Sequence, residues 1–238
     1  MDKKILVTIC ARGGSKGVKG KNYRMLNGNP LISYTIKQAL NWKKALNVVV
    51  STDSEEIARI ARESGAEVPF LRPTELATDS APKLPVIRHA LMECEKLHNT
   101  KYDIVVDLDP TSPIRTDEDL DNCLDLFAKN YSDTLFSVVP AHKNPYFNMV
   151  EQDASGKIIL CKKLPGTIIR RQDAPKVYDL NASIYFYKRE FIIQEDQKTP
   201  ITENSSVYIM NEFSGMDIDR EIDFIFVEQL VKEGLVKL

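Results

Sequence analysis

Through its first 140 residues the chain alternates short β-rich runs with amphipathic stretches, and this rhythm limits the possible folds more than any other feature. The β-rich runs are Ile5–Cys10, Asn47–Ser51, 68–71, Ile104–Leu108 and 134–139. Helical patterns lie between them. Asn29 and Pro30 offer an N-cap and first-turn pair for a helix running to about Asn41. Asp53 with Glu56 makes a capping-box-like start, Ile57, Ile60 and Ala61 supply one apolar face, and Gly65 supplies the stop. Leu120, Cys123, Leu124 and Phe127 repeat the helical stripe. Such alternation predicts an α/β fold, a mostly parallel sheet with helices on both faces.

After Pro140 the rhythm changes. Residues 141–178 hold a turn at 153–156, β-leaning pieces on either side and the basic pair Arg170-Arg171, a pattern that predicts a protruding β arm. Segments 181–187 and 208–210 read as strands. A closing helix over 221–231 would place Ile222, Ile225, Phe226 and Leu230 on its apolar face. With 238 residues and no internal repeat, a single domain over 1–238 is expected.

Composition narrows the classes further. The chain is 43% hydrophobic and 28% charged, the balance of a soluble protein with a sizeable core. Thirty-two Lys and Arg against 34 Asp and Glu give a net charge of -2, so no nucleic-acid partner is expected. No segment approaches the ~20 apolar residues of a membrane span, and the apolar run before Arg12 is short for a signal peptide. A cytoplasmic protein without membrane association is expected. Cys10, Cys94, Cys123 and Cys161 are widely spaced and read as reduced thiols.

Chemistry concentrates in three places. The first strand runs into Ala11-Arg12-Gly13-Gly14-Ser15-Lys16-Gly17-Val18-Lys19-Gly20-Lys21-Asn22. Glycines let backbone N–H groups approach a ligand, and four cations crowd into ten residues, so the loop suits a polyphosphate. It is not a Walker A loop, because the required glycine position holds Ser15, and G-x-G-x-x-G has no match. A plain solvated basic loop is the alternative. Asp217-Ile218-Asp219 puts two carboxylates on one side of extended backbone, where both could hold a hard cation or simply cap the last helix. Leu108-Asp109-Pro110-Thr111-Ser112-Pro113-Ile114-Arg115 follows the fourth strand, at the carboxyl edge where open α/β sheets bind ligands. Asp109, Thr111, Ser112 and Arg115 could contact a ligand or only cap the next helix. His89, His98 and His142 lie apart and support no nucleophilic triad.

Together these residues resemble the acylneuraminate cytidylyltransferases, the CMP-sialic acid synthetase family. The resemblance spans nearly the whole chain. It rests on residues 11–17 with Lys21-Asn22, on Ser51-Thr52-Asp53, on Leu71-Arg72-Pro73 with Glu75-Leu76-Ala77, and on Pro110-Thr111-Ser112-Pro113. Arg171-Gln172, residues 181–185 and Asp217-Ile218-Asp219 complete it. It implies a Rossmann-like nucleotidyltransferase sheet and a homodimer whose arm, 141–178, reaches the partner subunit. It also implies transfer of CMP from CTP to a nine-carbon 2-keto (nonulosonic) sugar acid, with Mg²⁺ as cofactor. Carried over residue by residue, Arg12, Lys16, Lys21 and Asp219 would be catalytic. Ala11, Gly13, Gly14, Ser15, Asn22, Arg72 and Lys83 would join the loop cations at the nucleotide. Asp109, Thr111, Ser112, Arg171, Gln172, Asn181 and Tyr185 would meet the sugar. Asp217 and Asp219 would bind the metal.

Several positions depart from the sialic-acid pattern: Asp109 for Gln, Ser80-Ala81-Pro82-Lys83 for a serine-rich stretch, and Ala182 for Gly. With Ile9-Cys10-Ala11 and Asn144-Pro145-Tyr146-Phe147-Asn148 they resemble the legionaminic-acid branch, with N,N'-diacetyllegionaminic acid as the favoured acceptor. A glycosyltransferase with a D-x-D metal site and a non-catalytic nucleotide-binding protein are the rival readings.

Overall fold

The computed structural model describes residues 3–14, 16–166 and 168–238. Its strands are β1 (Ile5–Cys10), β2 (Met25–Leu26), β3 (Asn29–Pro30), β4 (Asn47–Ser51), β5 (Ile104–Leu108), β6 (Thr134–Pro140), β7 (Val150–Gln152), β8 (Ile158–Leu160), β9 (Tyr178–Lys188) and β10 (Ser205–Ile209). The helices are α1 (Leu31–Asn41), α2 (Glu55–Glu63), α3 (Lys83–His98), α4 (Asp117–Asn130), α5 (Arg189–Ile192) and α6 (Glu221–Lys232). Six strands form the central sheet in the order β10-β6-β9-β5-β1-β4. β1 pairs parallel with β4 and β5, and β6 parallel with β10. β9 runs antiparallel between β5 and β6. The fold is the expected α/β class, with one reversed strand inside an otherwise parallel sheet.

Helices cover both faces. Ile32 and Ile36 of α1, Ile57 of α2 and Phe127 of α4 pack on one face with Val7, Ile9 and Val106. Leu84, Ile87 and Leu91 of α3 and Phe191 of α5 pack on the other with Leu6 and Val105. The strands β1, β4 and β5 are nearly continuous apolar runs because both faces are buried.

Four local expectations are corrected. The N-cap of α1 is Pro30, one residue later than expected and without a side-chain cap; Asn29 and Pro30 also pair with Leu26 and Met25 across Asn27-Gly28, whose φ values of 44° and 88° suit a tight hairpin turn. Ser54, not Asp53, caps α2, accepting from the Ile57 N–H at 3.4 Å. Segment 68–71 is not a strand. Only Glu67 bridges Val49, and Pro69 brings no N–H to extend the ladder. On α6 the buried stripe is Phe224, Val227 and Leu230, while Ile222, Ile225 and Phe226 are exposed. The longest helix, α3, went unassigned from sequence. Its Leu84, Ile87, Leu91, Cys94 stripe is the signal, and Pro85 falls in the first turn, where an N–H has no helical partner.

The arm root and the reversed strand carry local irregularity. β7 and β8 form an exposed hairpin closed by the Gly156 N–H donating to the Asp153 carbonyl at 2.9 Å. In β9 the register against β6 shifts between Phe136 and Val138. Within that bulge Ala182 holds φ at 55°, left-handed backbone that an L side chain occupies at a cost of about 1–2 kcal/mol. Ala182→Gly removes that strain but adds unfolded-state entropy of about 0.5–1 kcal/mol. The net expectation is a melting temperature raised by roughly 2 °C. Thermal unfolding of the two proteins measures it, and an unchanged or lowered Tm would show that the bulge holds Ala182 without strain.

Candidate active site

The chain leaves β1 for β4 on one side and later enters β5 on the other, so the carboxyl end of β1 is a topological switch point. The loops after β1 and β5 diverge there and border a cleft of about 400 Å³. Arg12, Lys16, Gly17, Lys21 and Asn22 line it from the first loop, and Asp109, Pro110 and Thr111 from the second. Arg72, Asp79 and Lys83 approach from the connection into α3, and Asp217 and Asp219 from the segment before α6. Three ordered motifs, nearly 200 residues apart in sequence, thus meet in one place.

The glycine loop is tethered to the scaffold. Gly13 N–H donates to Asp53 Oδ1 at 2.9 Å, so Asp53 holds the loop instead of capping α2. Val18 is buried beneath it. A Cβ on Gly17 would lie 2.0 Å from the Asp219 carbonyl oxygen, so only glycine allows the loop to lie against the acidic segment. Lys21 Nζ completes this junction, donating to the Ile218 carbonyl at 2.6 Å and to Asp219 Oδ1 at 3.1 Å. Arg12 and Lys16 both pair with Asp79. Their pull, Lys16 first, holds the Asp79 carboxyl below its usual range. Lys19, the fourth loop cation, is exposed outside the cleft lining.

The acidic segment brings both carboxylates to the cleft, but on a tight turn and not on extended backbone, the Asp219 N–H donating to the Asp217 carbonyl at 3.1 Å. Ile218 is wholly buried and its N–H donates to the Thr111 carbonyl at 2.9 Å, while Asp217 and Asp219 flank it in the cleft. Asp217 is mostly buried and touches Thr111 Oγ1 at 2.6 Å. Burial pushes its carboxyl up, and Asp109 and Asp219 nearby push it further. A buried carboxylate contacted only by a hydroxyl can accept a cation. Among the described residues no group of three or more His, Cys, Asp or Glu could hold a metal alone. Asp217 and Asp219 are oxygen donors of the kind Mg²⁺ would need, an ion that keeps few protein ligands.

Asp109 is not free in the cleft. Its Oδ2 pairs with Lys83 Nζ at 3.0 Å, and its Oδ1 accepts from Thr111 N–H at 3.1 Å and lies 2.9 Å from Thr111 Oγ1. Burial raises its pKa, but Lys83 and Thr111 outweigh that and leave it lowered. Arg115, left open from sequence between a ligand contact and a helix cap, is a brace. Its guanidinium donates to the Asp109 and Ser112 carbonyls and to Ser183 Oγ.

The remaining expected site residues fall into two other groups. Ala11, Ser112, Asn181 and Tyr185 are buried outside the cleft lining, with Ala11 and Tyr185 on opposite faces of the sheet. Ala11 N–H donates to the Ser51 carbonyl at 3.0 Å, and Ser112 Oγ to the Asn181 carbonyl at 2.8 Å. The Asn181 amide donates to the Ser214 carbonyl at 2.9 Å and accepts from Ser137 Oγ at 2.6 Å. Arg171 and Gln172 line a separate hollow beside the arm root with Pro140, Ala141 and Tyr178. Gly14 is exposed, and Ser15 lies outside the described residues. Asn22, in contrast, is buried in the cleft wall, its Nδ2 donating to the Arg12 carbonyl at 3.2 Å and its Oδ1 without a partner among the described residues. Arg72 is anchored on Ser51, with Nε 3.1 Å from Ser51 Oγ. Asp107, wholly buried below Lys83, was missed because it sits inside an apolar strand.

Loop cations facing a carboxylate pair at the switch point of an α/β sheet define a nucleotidyltransferase. A family model described as Cytidylyltransferase matches residues 6–230, and the chain belongs to that family. It is 47% identical over 230 residues to "Post-translational flagellin modification protein B" of Campylobacter coli, covering 96% of this chain and 95% of that protein. It is 44% identical over 227 residues to "CMP-N,N'-diacetyllegionaminic acid synthase" of Campylobacter jejuni, covering 95% and 94%. These relatives support the resemblance to the legionaminic-acid branch read from the motifs. The fold is similar to a solved CMP:2-keto-3-deoxy-manno-octonic acid synthetase complexed with CTP, with a TM-score of 0.71 at 16% identity over 97% of this chain and 99% of that one. No helix among the described residues is long and apolar enough to cross a membrane.

Proposed function

We propose that the chain transfers CMP from CTP to a nine-carbon 2-keto sugar acid, with N,N'-diacetyllegionaminic acid favoured, releasing pyrophosphate. The observation that carries this reading is the junction of the glycine loop with the acidic segment through Lys21 and Asp219. Loop cations and carboxylates would there surround one triphosphate. The anomeric hydroxyl of the acid would attack the α-phosphate in line, a reaction driven mostly by positioning and charge neutralisation. Phosphate oxygens would replace Asp79 as partners of Arg12 and Lys16. Asn22 Oδ1 and the Arg72 guanidinium would help seat the nucleoside.

Asp217 and Asp219 would hold Mg²⁺, which supplies Lewis-acid neutralisation of phosphate charge when bound. Asp109, with lone pairs left on both oxygens, would accept from N–H groups of the sugar acid. The favoured acceptor carries an acylamino donor where N-acetylneuraminate has a hydroxyl, so kcat/KM should favour the diacetamido acid by at least about tenfold. Pyrophosphate release measured with CTP, Mg²⁺ and a panel of nonulosonic acids tests the reading. Release should require the metal and be abolished by chelation. Silence with every acceptor would defeat the reaction assignment, and a preference for N-acetylneuraminate would defeat the choice of sugar.

The arm would make a homodimer. Arg171 and Gln172 sit outside their own chain's cleft, and a partner subunit is where they would serve. Sedimentation at assay concentration should give a dimer; a fully active monomer would remove that role.

A further inference from the structure

The cleft floor holds an ionic group that no motif announces. Asp107 interrupts the apolar run of β5 and is wholly buried on the α3 side of the sheet. Thr8, its register partner on β1, donates to Oδ1 at 2.8 Å. Lys83 Nζ lies 2.9 Å from Oδ2 as an ion pair, out of line for a hydrogen bond. The same Nζ reaches Asp109 Oδ2 at 3.0 Å and stands 4.6 Å from the Tyr185 ring centre.

Both placements are poor ones for charge. A carboxylate inside a core strand loses its hydration, and an ammonium on the first residue of a helix meets the positive end of the helix dipole. Unfavourable local choices that converge on a cleft mark function more often than stability. The Lys83 side chain remains 34% exposed and lines the cleft, so it can still donate to a ligand. Two carboxylates against one ammonium leave these three groups with a net charge of about −1. By themselves these three groups repel a phosphate. A neutral group with a carbonyl-type oxygen is not repelled.

We propose that Asp107 is a positioning residue that holds the Lys83 ammonium at the cleft wall to donate to a neutral carbonyl-type acceptor of a substrate. Cytosine and an acylamino group of the sugar acid both carry that chemistry. The inference rests on the cytidylyltransferase reading above, and it narrows the expectation that Lys83 meets the nucleotide. Burial alone would lower the Lys83 pKa, but Asp107 and Asp109 keep it well above its ordinary value, so the donor stays charged.

Asp107→Asn preserves size and the Thr8 contact while removing the charge. Steady-state kinetics, CTP binding and thermal unfolding are measured for D107N, K83M and the double variant. D107N should melt within about 3 °C of wild type, because a buried charge is removed and Lys83 keeps Asp109. Its kcat/KM should nevertheless fall at least about tenfold, the scale of one charge-assisted hydrogen bond. The double variant should match K83M within about twofold, because Asp107 acts only through Lys83. A weaker CTP Kd assigns the acceptor to cytosine; a higher sugar KM at unchanged CTP binding assigns it to the acylamino group. Wild-type kinetics in D107N, losses that multiply in the double variant, or an activity loss that only tracks a lowered Tm would each overturn the inference. If K83M does not fold with Asp107 left unpaired, D107N alone decides, since lost activity at unchanged Tm is not a structural effect. A wild type that releases no pyrophosphate would defeat the functional reading; an active wild type with an unaffected D107N defeats this inference alone.

Discussion

Lys21→Ala is expected to lower kcat by roughly 10²–10³-fold, the loss that follows removal of one preorganised contact to developing charge. From sequence Lys21 is one of four cations on a loop, and its loss would subtract only charge. The structure gives it a second task. Its side chain is only 12% exposed, and its ammonium ties the loop to Ile218 and Asp219 across 197 and 198 residues. Truncation therefore removes a phosphate contact and loosens the carboxylate proposed to hold the metal. Both losses act on the reacting phosphate, so kcat should suffer more than CTP binding. The fold should survive, because Val18 and Ile218 keep the two segments packed in one core cluster without the bond. Lys21→Met keeps much of the stem packing and should be as inactive. Steady-state kinetics alongside thermal unfolding check this, and turnover within a few-fold of wild type would show that the triphosphate lies elsewhere.

The contrast between Lys21 and Lys19 marks what a sequence can and cannot show at such a site. Glycine spacing and charge density located the loop, and strand periodicity placed it at a carboxyl edge. Neither property distinguishes a cation aimed into the cleft from one aimed at solvent. That depends on Val18 being buried and on Gly17 lying against Asp219. Strands β1, β4 and β5 are legible to the residue because a strand buried on both faces is a nearly unbroken apolar run. The antiparallel setting of β9 is not, since alternation carries no direction. The helix α3 was hidden by prolines at 82 and 85 although its apolar stripe was present. Asp107 was hidden by the opposite effect, one charge inside a run whose neighbours say core. Asn181 and Ser112 carried the family pattern, yet in this chain their polar atoms hold the scaffold together.

Arg115 shows the same exchange of roles on a larger energetic scale. Sequence leaves its side chain open between a ligand contact and a helix cap, but the residue is only 3% exposed. It donates to the Asp109 and Ser112 carbonyls, to Ser183 Oγ at 3.0 Å and to Thr35 Oγ1 at 3.3 Å. Among the described residues no carboxylate pairs with it directly, and burial lowers its pKa to about 10, so it remains charged at neutral pH. The guanidinium thus knits the loop after β5 to β9 and α1. Arg115→Ala leaves at least two buried carbonyls without a donor and opens a cavity, for a destabilisation of about 3–5 kcal/mol. In a chain of this size that lowers the melting temperature by roughly 10 °C. Activity should fall as well at temperatures where the variant is folded, because Asp109 and Thr111 lose their frame. Arg115→Lys supplies three donors from a single point and cannot reach carbonyls and hydroxyls on three elements at once, so it should recover only part of the loss. Thermal unfolding of the three proteins measures the brace directly. A Tm within about 3 °C of wild type for Arg115→Ala would mean that the loop is held by its prolines, and that the buried guanidinium serves the ligand after all.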